Sequence, residues 1–312
     1  MKIATTLIGL EKILAEESNG KIMIPGRVLF KKNKILRSAL IVYNYINHFK
    51  FKNEDEIYEN ISRIKLKLKE SFRVDCSRTG NHIFNSKEIR EKVGEIIYNK
   101  GNKVDLKTPK NIFYVDIIND YCFFGKNPLN LGKRNYRVRS SRDNINSVLA
   151  FSLLKIADYK KNQVLLDPFC RDGIILIEAG LIGGKRLYGL NYDIKNASIN
   201  SKVAKVKVNL YKENLSFLSK LFKENSVDLI ITKLFSPSKT KSINFVDKIT
   251  KESFNQSKTI LKKNGKMILL ALKTELIKKY AELYKFKIEE ELKILIGNEN
   301  YFILNLHKKS FK

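Results

Sequence analysis

From residue 144 onward, short apolar runs alternate with amphipathic stretches, and this rhythm constrains the fold more than any other feature. Helical spacing covers 145–157, 174–181, 194–204, 215–222, 245–261 and 275–283. Between them lie apolar runs at 164–166, 186–189, 227–231 and 266–272, with a weaker one near 206–210. A short run with no polar side is a strand buried on both faces, and a parallel sheet layered with helices buries it. Two closing extended runs, 286–295 and 301–306, are joined through Gly297-Asn298 and fit an antiparallel edge. Residues 144–312 therefore read as an α/β domain of the doubly wound type.

The first 125 residues follow a different plan. Residues 3–7 and 21–30 read as strands, the second broken at Pro25-Gly26, while 9–17 and 36–49 read as helices. A second unit begins with a helix over 54–66, where Ile57, Ile61 and Ile64 share a face, followed by an alternating strand at 71–76. After the polar loop 77–82, Ser86 is placed to cap a helix over 87–100, and 111–118 with 121–125 form a hairpin around Asn119-Asp120. These are two small α+β units, 1–50 and 51–125.

Charge enters the argument at the junction. The chain carries a formal net charge of +28, and a polyanion is the partner that relieves such self-repulsion. Residues 126–142 hold Lys126, Lys133, Arg134, Arg137, Arg139 and Arg142 without an acidic residue, and Tyr136 sits among the arginines. A basic, aromatic-interleaved segment suits an RNA track, so 126–143 is read as a basic linker. Cys76, Cys122 and Cys170 lie far apart, which indicates neither a disulfide framework nor a metal site. The N-terminus has no signal-peptide pattern and no apolar run spans a bilayer, so a cytoplasmic protein without membrane contact is expected.

Several stretches resemble one family in order and in kind. Ala4-Thr5-Thr6 with Gly9-Leu10-Glu11 is similar to its opening; Phe72-Arg73-Val74 through His82 and Ser86-Lys87-Glu88-Ile89 are similar to its RNA-binding module. So are Asp105-Leu106, Pro109 and Cys122-Phe123-Phe124-Gly125. The run 132–139, the helix from Asn144 and Val164-Leu165-Leu166-Asp167-Pro168-Phe169-Cys170 complete the match. The chain resembles the THUMP-domain RNA methyltransferases, and most their archaeal tRNA guanine-N2 branch. The resemblance implies an N-terminal ferredoxin-like domain (1–50), a THUMP domain (51–125) and a Rossmann-like methyltransferase domain (144–312). It implies tRNA as partner, S-adenosylmethionine as cofactor, and Arg78, His82 and Lys87 as phosphate contacts by analogy. Lys133, Arg134, Tyr136, Arg137 and Arg139 would extend that RNA surface.

Against the family pattern the methyl-donor site looks altered. Asp167, Cys170 and Gly173 are retained, but the family's Asp-Pro-Phe-Cys-Gly-Ser-Gly reads Asp167-Pro168-Phe169-Cys170-Arg171-Asp172-Gly173 here. Arg171 falls where a glycine would supply φ > 0, and Asp172 puts a negative charge beside a cofactor carboxylate. Asn191 occupies the place of the acid that would accept from ribose hydroxyls, with Asp193 as substitute; Glu213 or Asn214 are nearest to the acid expected after the third strand. The catalytic Asn-Pro-Pro-Tyr is replaced by Lys233-Leu234-Phe235-Ser236. Lys233 donates where the asparagine oxygen accepts, Leu234 lacks the rigidity of proline, and Phe235 retains a ring for a base. Two readings follow: a tRNA methyltransferase with degenerate donor and catalytic motifs, its cofactor weakly bound or lost, or an inactive RNA-binding scaffold or partner subunit. A DNA-modifying enzyme is the weaker third, because the THUMP resemblance points to RNA.

Overall fold

The computed structural model describes residues 1–31, 35–66, 70–141 and 144–308. Its first half is built on one seven-stranded mixed sheet. In chain order this half comprises β1 (Lys2–Thr5), α1 (Glu11–Ser18), β2 (Lys21–Ile24), β3 (Arg27–Phe30), β4 (Ile41–Lys50), α2 (Glu54–Ser62), β5 (Phe72–Thr79), α3 (Ser86–Tyr98), β6 (Asn111–Ile118) and β7 (Tyr121–Asn130). The strand order is β2-β3-β1-β4-β7-β6-β5, so β4 pairs with β1 on one side and β7 on the other. The two N-terminal units thus share a single sheet.

Three sequence expectations change here. Residues 41–50 are a strand and not part of a helix. Their Ile, Val, Tyr and Phe favour a pleated surface, but register shifts at Val42/Asn44 and Tyr45/Asn47 break the two-residue alternation that would have revealed it. Asn85, not Ser86, caps α3: its side chain accepts from the Lys87 and Glu88 amides, and Glu88 returns a bond to the Asn85 amide. The basic segment is not all linker, since β7 runs on to Asn130 and pairs there with Ile41.

The second half contains α4 (Ser147–Ile156), β8 (Val164–Asp167), α5 (Ile174–Leu181), β9 (Arg186–Leu190), α6 (Lys195–Val203), β10 (Asn209–Tyr211), α7 (Leu218–Leu221), β11 (Val227–Lys233), α8 (Ile243–Ile260), β12 (Leu261–Ala271), α9 (Glu275–Leu283), β13 (Phe286–Ile296) and β14 (Glu299–Lys308). Its sheet runs β10-β9-β8-β11-β12-β14-β13. Pairing is parallel from β10 to β12, while β14 inserts antiparallel between β12 and β13. Separate apolar cores fill the two faces, one around Leu165, Ile231 and Ile268, the other around Leu166, Ile230 and Phe254. The chain reverses its direction of travel across the sheet beside β8 and β11. That is where an open α/β sheet leaves a crevice at its strand ends.

The halves are packed together. Leu10 and Ile13 from the α1 region enter the first of those cores, and the Leu295 amide donates to the Ile8 carbonyl at 3.0 Å. Gly9 makes this possible: its φ is +99°, and a Cβ there would collide with the Lys293 carbonyl.

Candidate functional site

The crevice is shaped by the turn after β8. Gly173 caps α5 at φ +78°, in the left-handed region, and a Cβ there would lie 3.1 Å from the Ala197 side chain. Arg171 also adopts a left-handed conformation, with φ +47°. For a residue with a Cβ this costs on the order of 1–2 kcal/mol. Its side chain stays at the turn. It folds across the crevice, where Nη1 donates to the Phe169 carbonyl at 3.1 Å and to the Lys233 carbonyl at 2.9 Å. The guanidinium carbon lies 4.9 Å from the Phe235 ring centroid, and the Lys241 Nζ lies 5.3 Å from the same centroid. Two cations thus hold the ring that was expected to stack on a base.

Beneath this bridge the turn is tightly filled. The cavity bounded by Asn144, Asp167, Cys170, Asp172 and Lys233 has a volume of about 20 Å³. Asp167 is buried and accepts from Thr232 Oγ1 at 2.6 Å and the Phe169 amide at 3.1 Å. Burial raises its carboxyl to about 6, with the Thr232 hydroxyl and the Arg171 charge working against the rise. Asp172 is also buried; it accepts from Asn144 Nδ2 at 2.6 Å and faces Arg137 at 3.7 Å. Burial raises this carboxyl too, opposed by the Asn144 bond and the Arg137 charge. Cys170 is buried, and loss of solvation pushes its thiol well up.

The remaining expected positions separate. Asn191 turns its amide to the Asp193 carbonyl at 2.7 Å, while the Asp193 carboxylate accepts from the Lys195 amide at 2.9 Å at the start of α6. Lys233 sits with its Nζ 5.2 Å from the Tyr301 ring centroid. Leu234 is buried in the core, with its amide on the Leu270 carbonyl. Beside the filled turn an open cleft of about 620 Å³ is lined by Arg171, Asn191, Asp193, Phe235, Lys239 and Lys241, among others.

Arg78, His82 and Lys87 are grouped at the loop between β5 and α3. His82 Nε2 contacts the Asn119 carbonyl at 2.7 Å, its Nδ1 lies 3.2 Å from Arg78 Nη1, and its ring is 4.9 Å from that of Phe84. Lys87 is exposed in the first turn of α3, where the helix dipole favours an anion. The basic segment divides. Lys133 and Arg139 are exposed. Arg134 and Tyr136, read as RNA contacts from the sequence, are turned inward. Both bond Glu178 Oε1, at 3.0 and 2.6 Å, because this fully buried carboxylate needs donors. Arg37 completes the arrangement with two bonds to Oε2, at 2.8 and 2.6 Å. Arg137 is directed at Asp172. Arg142 lies outside the described residues.

Sequence reasoning missed this Glu178 junction, since Arg37 is 141 residues away and carries no local signal. The Lys239–Lys241 loop was missed as well, although its alternation of serine, lysine and threonine from Ser236 to Ser242 was visible. A roomier groove of about 680 Å³ lies between β5 and α3, remote from this crevice in the fold. Among the described residues no helix is long and apolar enough to cross a membrane, and no group of three or more His, Cys, Asp or Glu could hold a metal.

Comparison with known proteins fits this geometry. Residues 51–125 match the THUMP domain, and residues 134–208 match the RMKL-like methyltransferase domain. The chain carries a THUMP domain and an RMKL-like methyltransferase domain. A tRNA (guanine(6)-N2)-methyltransferase of Methanocaldococcus jannaschii is 26% identical over 298 residues, 78% of each chain. A tRNA (guanine(6)-N2)-methyltransferase of Thermus thermophilus is 37% identical over 114 residues, but that stretch is 35% of this chain and only 33% of the relative. The crystal structure of TrmN from Thermus thermophilus superposes with a TM-score of 0.78 at 25% identity, over 99% of both chains. The end of β5 with Arg78, the loop with His82 and the start of α3 belong to the THUMP match, and the filled turn belongs to the methyltransferase match.

Proposed function

We propose that this protein binds tRNA and that its methyltransferase domain serves as an RNA-holding scaffold without using a methyl donor. The observation that carries this reading is the Arg171 bridge. S-adenosylmethionine is poorly matched by the residues at the turn, because the space beneath the Arg171 bridge is about 20 Å³, room for roughly one water, and a donor would have to lie in the adjoining 620 Å³ cleft beside Asn191 and Asp193, without the contacts of the turn. The buried Asp172 carboxylate would face the donor's own carboxylate, and Asn191 directs its amide to Asp193. At the catalytic position, Lys233 supplies a donor where an exocyclic amine requires acceptors. No methyl-transfer step can be written through these residues.

RNA binding has separate support: the net charge of +28, the THUMP match over 51–125, and relatives named as tRNA methyltransferases. Arg78, His82 and Lys87 on the THUMP side, with Lys133 and Arg139 on the connecting segment, are the proposed contacts. Isothermal titration with S-adenosylmethionine, with and without tRNA, is the direct test. No heat is expected from the donor, whereas labelled total tRNA binds with strong salt dependence. Lys133→Ser/Arg139→Ser is expected to flatten the log–log salt slope by about 1–2, at close to one per phosphate contact. Saturable donor binding would refute the scaffold reading.

A further inference from the structure

Residues 238–241, in the loop between β11 and α8, form one wall of the 620 Å³ cleft. The loop sequence from Ser236 to Ser242 is Ser-Pro-Ser-Lys-Thr-Lys-Ser. Ser238 and Lys241 close it through a pair of backbone hydrogen bonds at 2.9 and 3.2 Å. Ser242 then caps an 18-residue helix, with its Oγ accepting from the Phe245 amide. The loop therefore brings two lysines and two hydroxyls, Ser238 and Thr240, to the same cleft.

The opposite wall contributes Arg171, anchored through Nη1 on two carbonyls. Lys241 and Arg171 both lie over Phe235, so the ring fixes the two cations at a common centre. Among the described lining residues Asp193 is acidic, and its carboxylate accepts from the Lys195 amide at 2.9 Å. Cations from both walls suit a phosphate, and hydroxyls with fixed cations beside an aromatic ring are the chemistry of single-stranded nucleic-acid grooves.

We infer that this cleft binds a nucleotide phosphate, presented by a single-stranded segment of RNA, on Arg171, Lys239 and Lys241. The inference rests on the scaffold reading, because it uses the Arg171 conformation that closes the donor turn. It assigns the altered crevice a ligand of its own, separate from the THUMP surface.

The test measures fluorescence anisotropy of labelled, 5′-phosphorylated pentauridylate and, in parallel, labelled total tRNA on the full chain. Lys239→Ser/Lys241→Ser should weaken pentauridylate binding at least tenfold and reduce its salt slope by about 1.4, at 0.7 per contact on a single strand. Lys239→Arg/Lys241→Arg should retain it. Should the double serine variant melt early, Lys239→Ser alone, at an exposed side chain, carries the test with a loss of threefold or more. Competition with uridine monophosphate identifies the source. Displacement by RNA but not by the mononucleotide supports an RNA strand; equal displacement by both supports the phosphate site but overturns the assignment to RNA. Wild-type protein that holds total tRNA but not pentauridylate, or serine variants that bind pentauridylate like wild type, would overturn the cleft and leave the scaffold reading intact. Wild-type protein that fails to hold tRNA would remove the scaffold reading itself, and the assignment to RNA with it.

Discussion

Replacing Glu178 with glutamine removes one negative charge from the point where three parts of the chain meet. The carboxylate is fully buried and accepts four bonds: two from Arg37, one from Arg134 and one from Tyr136. Arg37 belongs to the first half, Arg134 and Tyr136 to the connecting segment, and Glu178 to α5. The Arg134 side chain is only 12% exposed, so water replaces little of what it loses; Arg37, at 26%, recovers more. Arg134 is also held by the Leu131 and Arg37 carbonyls and cannot easily swing out. A glutamine amide would offer one oxygen and place an NH₂ against donors. Breaking a buried charge pair by removing one partner costs about 3–5 kcal/mol. At roughly 2.1 cal/mol/K per residue, a 312-residue chain that melts as one unit would lose about 5–8 °C. Differential scanning calorimetry measures this directly. Because the lost contacts join the two halves, the single transition should also split or broaden. A shift below about 1 °C with an unchanged profile would refute the reasoning, since the carboxylate would then not be tying the halves together.

Two further outcomes follow from the crevice. Asp167 is pushed up to about 6 by burial, so the folded state holds its proton more tightly than the unfolded chain; the resulting stability is complete below about 4 and is lost as pH rises through 6. Asp167→Asn should therefore gain stability relative to wild type between pH 4.5 and 7.5, by about 3 kcal/mol at most. Urea titrations at the two pH values check this, and parallel pH profiles would sink the claim. Arg171→Gly/Asp172→Ser removes both the bridge and the buried acid, and should produce saturable S-adenosylmethionine heat where wild type gives none. A silent titration of a folded double variant would show that the bridge is not what closes the site.

The alternation after residue 144 was sufficient to define the second domain, because a strand with no polar side can only be buried and the order of elements then limits the sheet. Even the closing hairpin was legible through Gly297. That Arg171, Asp172 and Asn191 differ in kind from the glycine, serine and acid of the resembled family could also be read directly. In the first half local pattern failed at 41–50, where two irregularities in strand pairing erased the alternation of a real strand. Tertiary structure alone decided that the two N-terminal units share one sheet, since β4 reaches both β1 and β7. It also determined which basic residues face solvent. Arg134 and Tyr136 look like Lys133 and Arg139 in sequence, but Glu178 is buried nearby and cannot remain without donors. The position of the Arg171 side chain was likewise beyond reach of sequence, since the carbonyl it binds belongs to Lys233, 62 residues away. Chemical identity is local and can be read along the chain; charge satisfaction is a property of the folded neighbourhood, which only long-range packing creates.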